Sequence, residues 1–193
     1  MRADLVVGRN VHMMVLAFFG FLRFSDLGQL RLRDVTVEDR YVRIFIRDSK
    51  TDPEGKGQTV VVAKNAGKAD PVSSVEDYKR RMQHSNKEVD QENFYFPSMR
   101  RCRGNKEVFV FDKKPMSYDT ARKAVLEEAS KHGVNVERLG THSMRIGGAI
   151  EFTRRGVSDT VVTNHGRWRC VTSRLAYQRT LRDELVETGH IFQ

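Results

Sequence analysis

Residues 141–149 read THSMRIGGA, and this stretch combines two features that rarely share one helix. His142 and Arg145 stand three positions apart, so their side chains lie on one face of a helix. Gly147 and Gly148 follow Arg145 after one residue, although each glycine in a helix interior costs about 1 kcal/mol of helix stability. Two glycines in succession indicate a close approach to the backbone, by a packed neighbour or by a ligand. The cationic pair beside them favours an anion as that ligand.

The chain as a whole has the charge of a protein that binds anions. Its 193 residues contain 34 Lys and Arg against 25 Asp and Glu, a net charge of +9, and nucleic acid is the commonest acidic partner. A hydrophobic content of 39% predicts one globular domain with a full core. The two cysteines and six histidines form no metal-ligand motif, and no apolar run approaches the ~18 residues of a membrane span. We therefore expect no metal, no other cofactor and no membrane segment.

The first third of the chain predicts a buried helix followed by a small sheet. Apolar residues at helical spacing predict the buried helix over residues 8–22: Val11, Met14, Val15, Phe18, Phe19 and Leu22. Ser25 is expected to cap a short second helix. Alternating and β-branched residues predict an antiparallel sheet over residues 34–63, with a hairpin connection at 49–57.

The remainder of the chain predicts mostly helices. We expect a helix from Pro71 to about residue 84, a polar loop over 85–106, and a short strand or buried extended piece in EVFVF (107–111). Polar caps and glycine stops mark four further helices: from the Ser117 cap to Gly133, from Thr141 or His142 to Arg155, from the Ser158 cap to Gly166, and over 171–187. The predicted fold class is α+β, mainly α, with its small antiparallel sheet near the N-terminal third.

Six residues spread along the chain have the chemistry to cut a DNA phosphodiester without a metal: Arg23, Lys50, His142, Arg145, Trp168 and Tyr177. Two guanidinium groups can bind the non-bridging phosphate oxygens, and a histidine can accept or share a proton. The indole N–H of a tryptophan can donate a hydrogen bond. A hairpin lysine can protonate the departing 5′ oxygen, and a tyrosine oxygen serves as both nucleophile and leaving group. Lys56 lies on the same predicted hairpin and is the alternative to Lys50.

In this order and spacing, the six residues resemble the catalytic domain of the tyrosine recombinases, the phage-integrase-like family. The resemblance runs from about residue 8 to about residue 180 and includes Asp26, which matches the acidic residue three positions after the family's first arginine. It implies that Tyr177 attacks the scissile phosphate, forms a 3′-phosphotyrosine and permits strand exchange without metal or ATP. It also implies double-stranded DNA as the partner and a homotetramer in the synaptic complex, with a monomer as the free form.

The chain departs from the family's pattern in two places. Gly166-Arg167-Trp168 stands where many members have Gly-His, and it resembles recombinases of eukaryotic mobile elements such as Cryptons and DIRS-like retroelements. That origin would imply a nuclear protein, and any other origin a cytoplasmic one. The family's N-terminal core-binding domain is missing from residues 1–193, so we interpret the chain as a single catalytic domain, either an excised fragment or a minimal member.

Several interpretations stay open at this point. Basic runs predict phosphate contacts, with solvated surface as the alternative, at Arg80, Arg81, Arg100, Arg101, Arg103, Arg154 and Arg155. His165, beside Gly166, is a further candidate for a catalytic role, and the alternative is that it ends a helix, where the macrodipole favours it. Two other functions use similar residues. One is DNA relaxation by a type IB topoisomerase-like enzyme, and the other is DNA binding by a domesticated module that no longer cuts.

Overall fold

The computed structural model describes residues 3–47, 55–67, 69–85, 90–101, 109–137, 139–169 and 172. This part of the chain is mainly helical with a small antiparallel sheet, as predicted. Its elements in chain order are α1 (Ala3–Phe19), α2 (Phe24–Gln29), a 3-10 turn (Leu32–Asp34), β1 (Val35–Val37), β2 (Tyr41–Ile46), β3 (Gln58–Ala63), α3 (Pro71–Ser85), β4 (Pro97–Arg101), β5 (Phe109–Pro115), α4 (Tyr118–Lys131), α5 (Ser143–Arg154) and α6 (Asp159–His165).

The predicted sheet is confirmed, and its alternation sets which face is buried. Strands β1, β2 and β3 pair in that order, all antiparallel. Val42 and Ile44 of β2 are buried and stand opposite Val62 and Val60 of β3, so one face of the sheet belongs to the core. Helix α3 contacts both of these strands and α1, and α1 also contacts α5.

The predicted buried face of α1 is only partly confirmed: Leu22 is buried, and Met14 and Phe19 pack against the core, but the most buried side of the helix is a different one. Val11 is 38% exposed, whereas Leu5, Met13 and Leu16 are at most 4% exposed. The helix is apolar on most of its circumference, so spacing alone cannot select the side that meets α3 and α5. It also ends at Phe19 and not at residue 22.

The short helix α2 does not start at the predicted cap. Ser25 lies inside the helix, and Arg23 occupies the N-cap position. The Asp26 carboxylate accepts a hydrogen bond from the Arg23 backbone N–H at 2.9 Å, which satisfies a group that the helix itself cannot. This arrangement fixes the backbone of Arg23 relative to α2.

The helix starts predicted at Ser117 and Ser158 are confirmed, whereas the helix predicted over 171–187 lies outside the described residues apart from residue 172. The hydroxyl of Ser117 accepts the Thr120 N–H at the start of α4, and the hydroxyl of Ser158 accepts the Val161 N–H at the start of α6. One prediction in this region is wrong, because β4 lies within the stretch expected to be a polar loop. It pairs with β5, which includes the described part of EVFVF, so a contact between distant segments decided its conformation.

The glycine pair of α5 allows this helix to lie against the end of α1. A Cβ atom on Gly148 would overlap the carbonyl oxygen of Phe18 and lie 2.8 Å from the Phe21 ring. A Cβ atom on Gly147 would lie 3.4 Å from the Phe18 ring, close to ordinary contact. Gly148 therefore serves close helix packing, and this packing brings the first turn of α5 to the end of α1.

Candidate functional site

The end of α1 and the residues that follow it bind basic side chains from the last third of the chain. Their backbone carbonyls accept hydrogen bonds from three of them. His165 Nε2 donates to Phe19 O at 2.7 Å, and Arg145 Nη1 donates to Phe21 O. Arg167 Nη2 also lies 3.4 Å from Phe21 O. The C-terminus of a helix carries partial negative charge, so cations are favoured there.

Arg145 lies at the centre of this junction and is completely buried. Its Nη2 donates to Gly166 O at 2.5 Å, and its Cζ lies 4.3 Å from the centroid of the Trp168 ring. Gly166 is required here because a Cβ atom at that position would overlap the indole. The indole therefore stacks on the guanidinium as a cation–π partner.

A buried carboxylate joins the two ends of the site. Asp26 Oδ2 accepts the Arg23 backbone N–H at 2.9 Å and Arg167 Nη2 at 2.6 Å. Arg23 itself is half-buried, and its Nη1 atom is buried without a hydrogen-bond partner in the described part of the chain. Among the described residues, the Arg167 guanidinium bonds to the Asp26 carboxylate, whereas the Arg145 guanidinium bonds to backbone carbonyls. This part of the described structure thus holds three guanidinium groups, those of Arg23, Arg145 and Arg167, and the single carboxylate of Asp26.

His142 stands at the N-cap position of α5 with its side chain exposed. Partial burial of the ring lowers its pKa, and the positive charges of Arg145 and Arg23 lower it further. Both arginines therefore act on the same imidazole, and the ring is neutral at physiological pH. A neutral imidazole can accept a proton.

His165 has a different environment from His142. Its ring packs edge-on against Phe21 at a centroid distance of 4.6 Å, and burial is the main cause of its lowered pKa. Its Nε2 proton is held by the Phe19 carbonyl. The side chain thus connects the end of α6 to the end of α1.

The structure brings together five of the residues that the sequence singled out: Arg23, Asp26, His142, Arg145 and Trp168. Lys50 and Tyr177 lie outside the described residues. Lys56 is exposed just before β3, and the structure does not decide between it and Lys50. Arg167, which the sequence analysis assigned no role, is part of the cluster.

The predicted phosphate-contact arginines occupy separate surfaces. Arg80 and Arg81 of α3 both pair with Asp77, at 2.6 and 2.5 Å. Arg155 pairs with Glu151 at 2.7 Å, and its neighbour Arg154 is exposed. Arg100 pairs with Asp112 at 3.1 Å; Arg103 and the side chain of Arg101 lie outside the description.

An apolar groove of about 1280 Å³ lies beside the cationic cluster. Phe18 of α1, Val61 of β3, Ile146 and Ile150 of α5, and Val161 of α6 contribute to its lining. Because most of this lining is apolar, the groove is unsuited to a phosphate.

The described ranges contain no group of three or more His, Cys, Asp or Glu side chains that could hold a metal ion. None of their helices is both long enough and apolar enough to cross a membrane.

Comparison with known proteins identifies the family. The sequence profile of the phage integrase family matches residues 7–182, so the chain belongs to this family. No curated protein matches the sequence.

Solved structures with a similar fold are tyrosine recombinases. The XerH site-specific recombinase bound to a palindromic difH substrate superposes with a TM-score of 0.64 at 16% identity, over 100% of this chain and 48% of that one. The Tn1549 transposon integrase in complex with transposon right end DNA gives 0.58 at 15% identity, over 93% and 58%. The XerA recombinase gives 0.57 at 17% identity, over 97% and 61%. The chain thus has the fold of their catalytic domains and spans about half the length of the XerH chain.

Proposed function

We propose that this chain is the catalytic domain of a site-specific DNA recombinase that cuts and rejoins strands through a 3′-phosphotyrosine. The observation that carries the proposal is the excess positive charge at the end of α1. Among the described residues, three guanidinium groups and one buried carboxylate lie there, only the Arg167 guanidinium bonds to that carboxylate, and the Nη1 atom of Arg23 is buried without a partner. A phosphodiester supplies the missing negative charge and the missing acceptors.

In this proposal the positive groups stabilise the phosphate while bonds to phosphorus change. Arg23 and Arg145 bind the non-bridging oxygens, and the Trp168 indole N–H donates to one of them. Neutral His142 accepts or shares the proton of the attacking hydroxyl. Arg145 is completely buried in the chain without DNA, so its contact with phosphate requires the site to open when DNA binds.

In the covalent step one bond to phosphorus forms while another breaks. The phenolic oxygen of Tyr177 bonds to phosphorus as the bond to the 5′ oxygen breaks, and Lys50, or Lys56, protonates that oxygen. The products are a 3′-phosphotyrosine and a free 5′ hydroxyl. Attack by the 5′ hydroxyl of a partner strand reverses the step, so neither ATP nor a metal is consumed.

We propose double-stranded DNA as the partner and a homotetramer as the synaptic assembly. Support for DNA comes from the net charge of +9 and from the XerH, FLP and Tn1549 integrase structures, which contain DNA. The apolar groove of about 1280 Å³ supports the assembly, because it can receive the C-terminal segment of a neighbouring copy. For a eukaryotic mobile element the working location would be the nucleus.

The burial of Arg145 favours a second candidate function, a DNA-binding module that no longer cuts. Its guanidinium is engaged by the carbonyls of Phe21 and Gly166, which would suit a structural arginine. Such a module would keep the fold and bind DNA in a salt-dependent way, without forming a covalent intermediate.

Covalent attachment to DNA tests these candidates. A pool of nicked duplexes with randomised centres is incubated with the native chain, with Tyr177→Phe, and with Tyr41→Phe as a control on the exposed face of β2. Denaturing gels then measure the attached fraction, and mobility shifts measure binding. The native chain and the control are expected to become attached, whereas Tyr177→Phe binds without attachment.

Each contrary result has a defined meaning. Attachment that persists in Tyr177→Phe removes Tyr177 from its role. Salt-sensitive binding without attachment by the native chain favours the binding module. Relaxation of supercoiled DNA without exchange between two sites favours the topoisomerase-like enzyme.

A further inference from the structure

The candidate site contains one buried cation that the phosphate chemistry does not use. We infer that Arg167 is a positioning residue, which acts through Asp26 to hold the turn of Arg23 against the turn of Trp168. This inference rests on the proposed function, because its purpose is to orient groups that meet the phosphate.

The bridge passes through a single oxygen atom. Asp26 Oδ2 accepts both the Arg23 backbone N–H, at 2.9 Å, and the Arg167 guanidinium, at 2.6 Å. The two side chains are only 2% and 5% exposed, so water does not screen the ion pair. The pair joins residues 141 positions apart in the sequence, and it thereby connects the first and last parts of the site.

Arg167 contacts groups of the protein itself. Besides Asp26, its Nη atoms lie 3.5 Å from Gly20 O and 3.4 Å from Phe21 O, and all three acceptors lie in residues 20–26. Unlike Arg145, Arg167 forms an ion pair with a buried carboxylate, so its charge is already balanced within the protein. Its role is therefore exerted through the groups it contacts.

The backbone of Arg167 shows that its position is enforced. Its φ of 56° lies in the left-handed region, which is unfavourable for a residue with a side chain. The turn is closed by the Trp168 N–H, which donates to Thr163 O at 3.1 Å. An anchored guanidinium maintains this conformation, and Trp168 follows directly under the Arg145 guanidinium.

Trp168 is the only tryptophan in the chain, so its fluorescence reports on this turn alone. We compare the native chain with Arg167→Gln, with Arg167→Lys, and with Arg155→Gln as an exposed control at the C-cap of α5. Arg167→Gln is expected to shift the emission to longer wavelength and to increase quenching by acrylamide. Arg167→Lys keeps the charge opposite Asp26, so its emission and quenching are expected to lie between those of the native chain and Arg167→Gln. The control is expected to match the native chain in both measurements. Unchanged emission in Arg167→Gln would overturn the inference.

A double-mutant cycle on covalent attachment separates positioning from general stability. Arg167→Gln is expected to slow attachment to the nicked duplex pool by about 10- to 100-fold, the usual cost of losing a residue that orients a reacting group. In an Arg23→Ala background the same change is expected to cost much less, because the group being positioned is already gone. Losses that simply multiply would show that Arg167 does not act through Arg23.

The two readouts also distinguish this inference from the proposed function. If the native chain never attaches to DNA, the proposed cleavage fails, yet the fluorescence still shows whether Arg167 holds the Trp168 turn. If Arg167→Gln unfolds, as circular dichroism would show, the Arg167→Lys variant supplies both comparisons. Native attachment and native emission in Arg167→Lys, at a temperature where it is folded, would then contradict a role for the Nη2 contacts to Asp26 and Phe21.

Discussion

Helix α1 carries two buried polar clusters, and they differ in whether the fold completes them. Near its middle, His12 Nδ1 lies 2.7 Å from Ser74 Oγ and Nε2 lies 2.9 Å from Tyr95 Oη, while the ring stacks on Tyr78 at 4.9 Å. Burial lowers the pKa of His12 to about 3 and raises those of Tyr78 and Tyr95, so these three side chains are neutral at physiological pH. Both ring nitrogens have partners inside the protein.

The cluster beyond the end of α1 is charged and incomplete. Its described residues include three guanidinium groups, of which that of Arg167 bonds to the Asp26 carboxylate, and one buried nitrogen of Arg23 lacks a partner in the described ranges. Burying unbalanced charge costs stability, so such an arrangement is retained where a ligand completes it. Both clusters bury polar groups, so burial alone does not distinguish them. They differ in charge balance, and this difference is why we assign a function to the cluster beyond the end of α1 and a structural role to the one around His12.

The largest expected effect comes from Arg145→Lys. A lysine cannot donate to both Phe21 O and Gly166 O and also bind phosphate, because it lacks the planar fork of donors. Attachment to DNA is expected to fall by about 100- to 1000-fold. The rate of covalent complex formation measures this change, with Arg154→Lys, exposed on the same helix, as the control. A native rate of covalent complex formation in Arg145→Lys would show that Arg145, like His12, has a structural role.

The packing of α5 against the end of α1 can be disrupted by a substitution that changes no charged residue. In Gly148→Ala the new methyl group overlaps Phe18 O and crowds the Phe21 ring, so a loss of about 3 kcal/mol in the free energy of unfolding is expected. Gly147→Ala is the matched control, since its methyl meets only the Phe18 ring and helix propensity favours alanine by about 1 kcal/mol. Urea denaturation measures both variants. Equal stabilities would mean that α5 can move away from α1.

The neutral cluster is expected to respond to acid. The pKa of His12 is about 3 in the folded chain and about 6.5 when unfolded, so below pH 6.5 the unfolded state binds more protons and stability falls. Lowering the pH from 7 to 5 should cost about 2 kcal/mol through this residue alone. Urea denaturation of the native chain and His12→Gln at both pH values isolates that contribution. The same pH sensitivity in both proteins would argue against a buried neutral His12.

The smallest effect concerns the surface arginines. Arg154 has no ion pair in the described part of the chain, whereas Arg80 is paired with Asp77 at 2.6 Å. Arg154→Gln is expected to reduce the slope of log affinity against log salt by about 1, and Arg80→Gln by less, because Asp77 competes with phosphate for Arg80. Binding to a duplex at several salt concentrations measures both slopes. A larger change in the salt slope for Arg80→Gln than for Arg154→Gln would contradict the prediction that Arg154 contributes more to phosphate binding.

Much of the fold could be predicted because its signals are local. The caps Ser117 and Ser158 and the strand alternation in 41–46 each act within a few residues, and the structure confirms all three. The buried face of α1 and the strand β4 could not be predicted. The first is chosen by which helices pack on it, and the second by pairing with β5.

The sequence by itself determined the chemistry available to this protein: basic charge, and arginine, histidine and tryptophan in an order that matches a family. Only the tertiary structure decided how these groups are held. The ion pair between Asp26 and Arg167 spans 141 positions, and neither residue's local context indicates the other. Local patterns report interactions within a turn or a strand pair, whereas the charge balance of a buried site depends on every segment that folding brings to it.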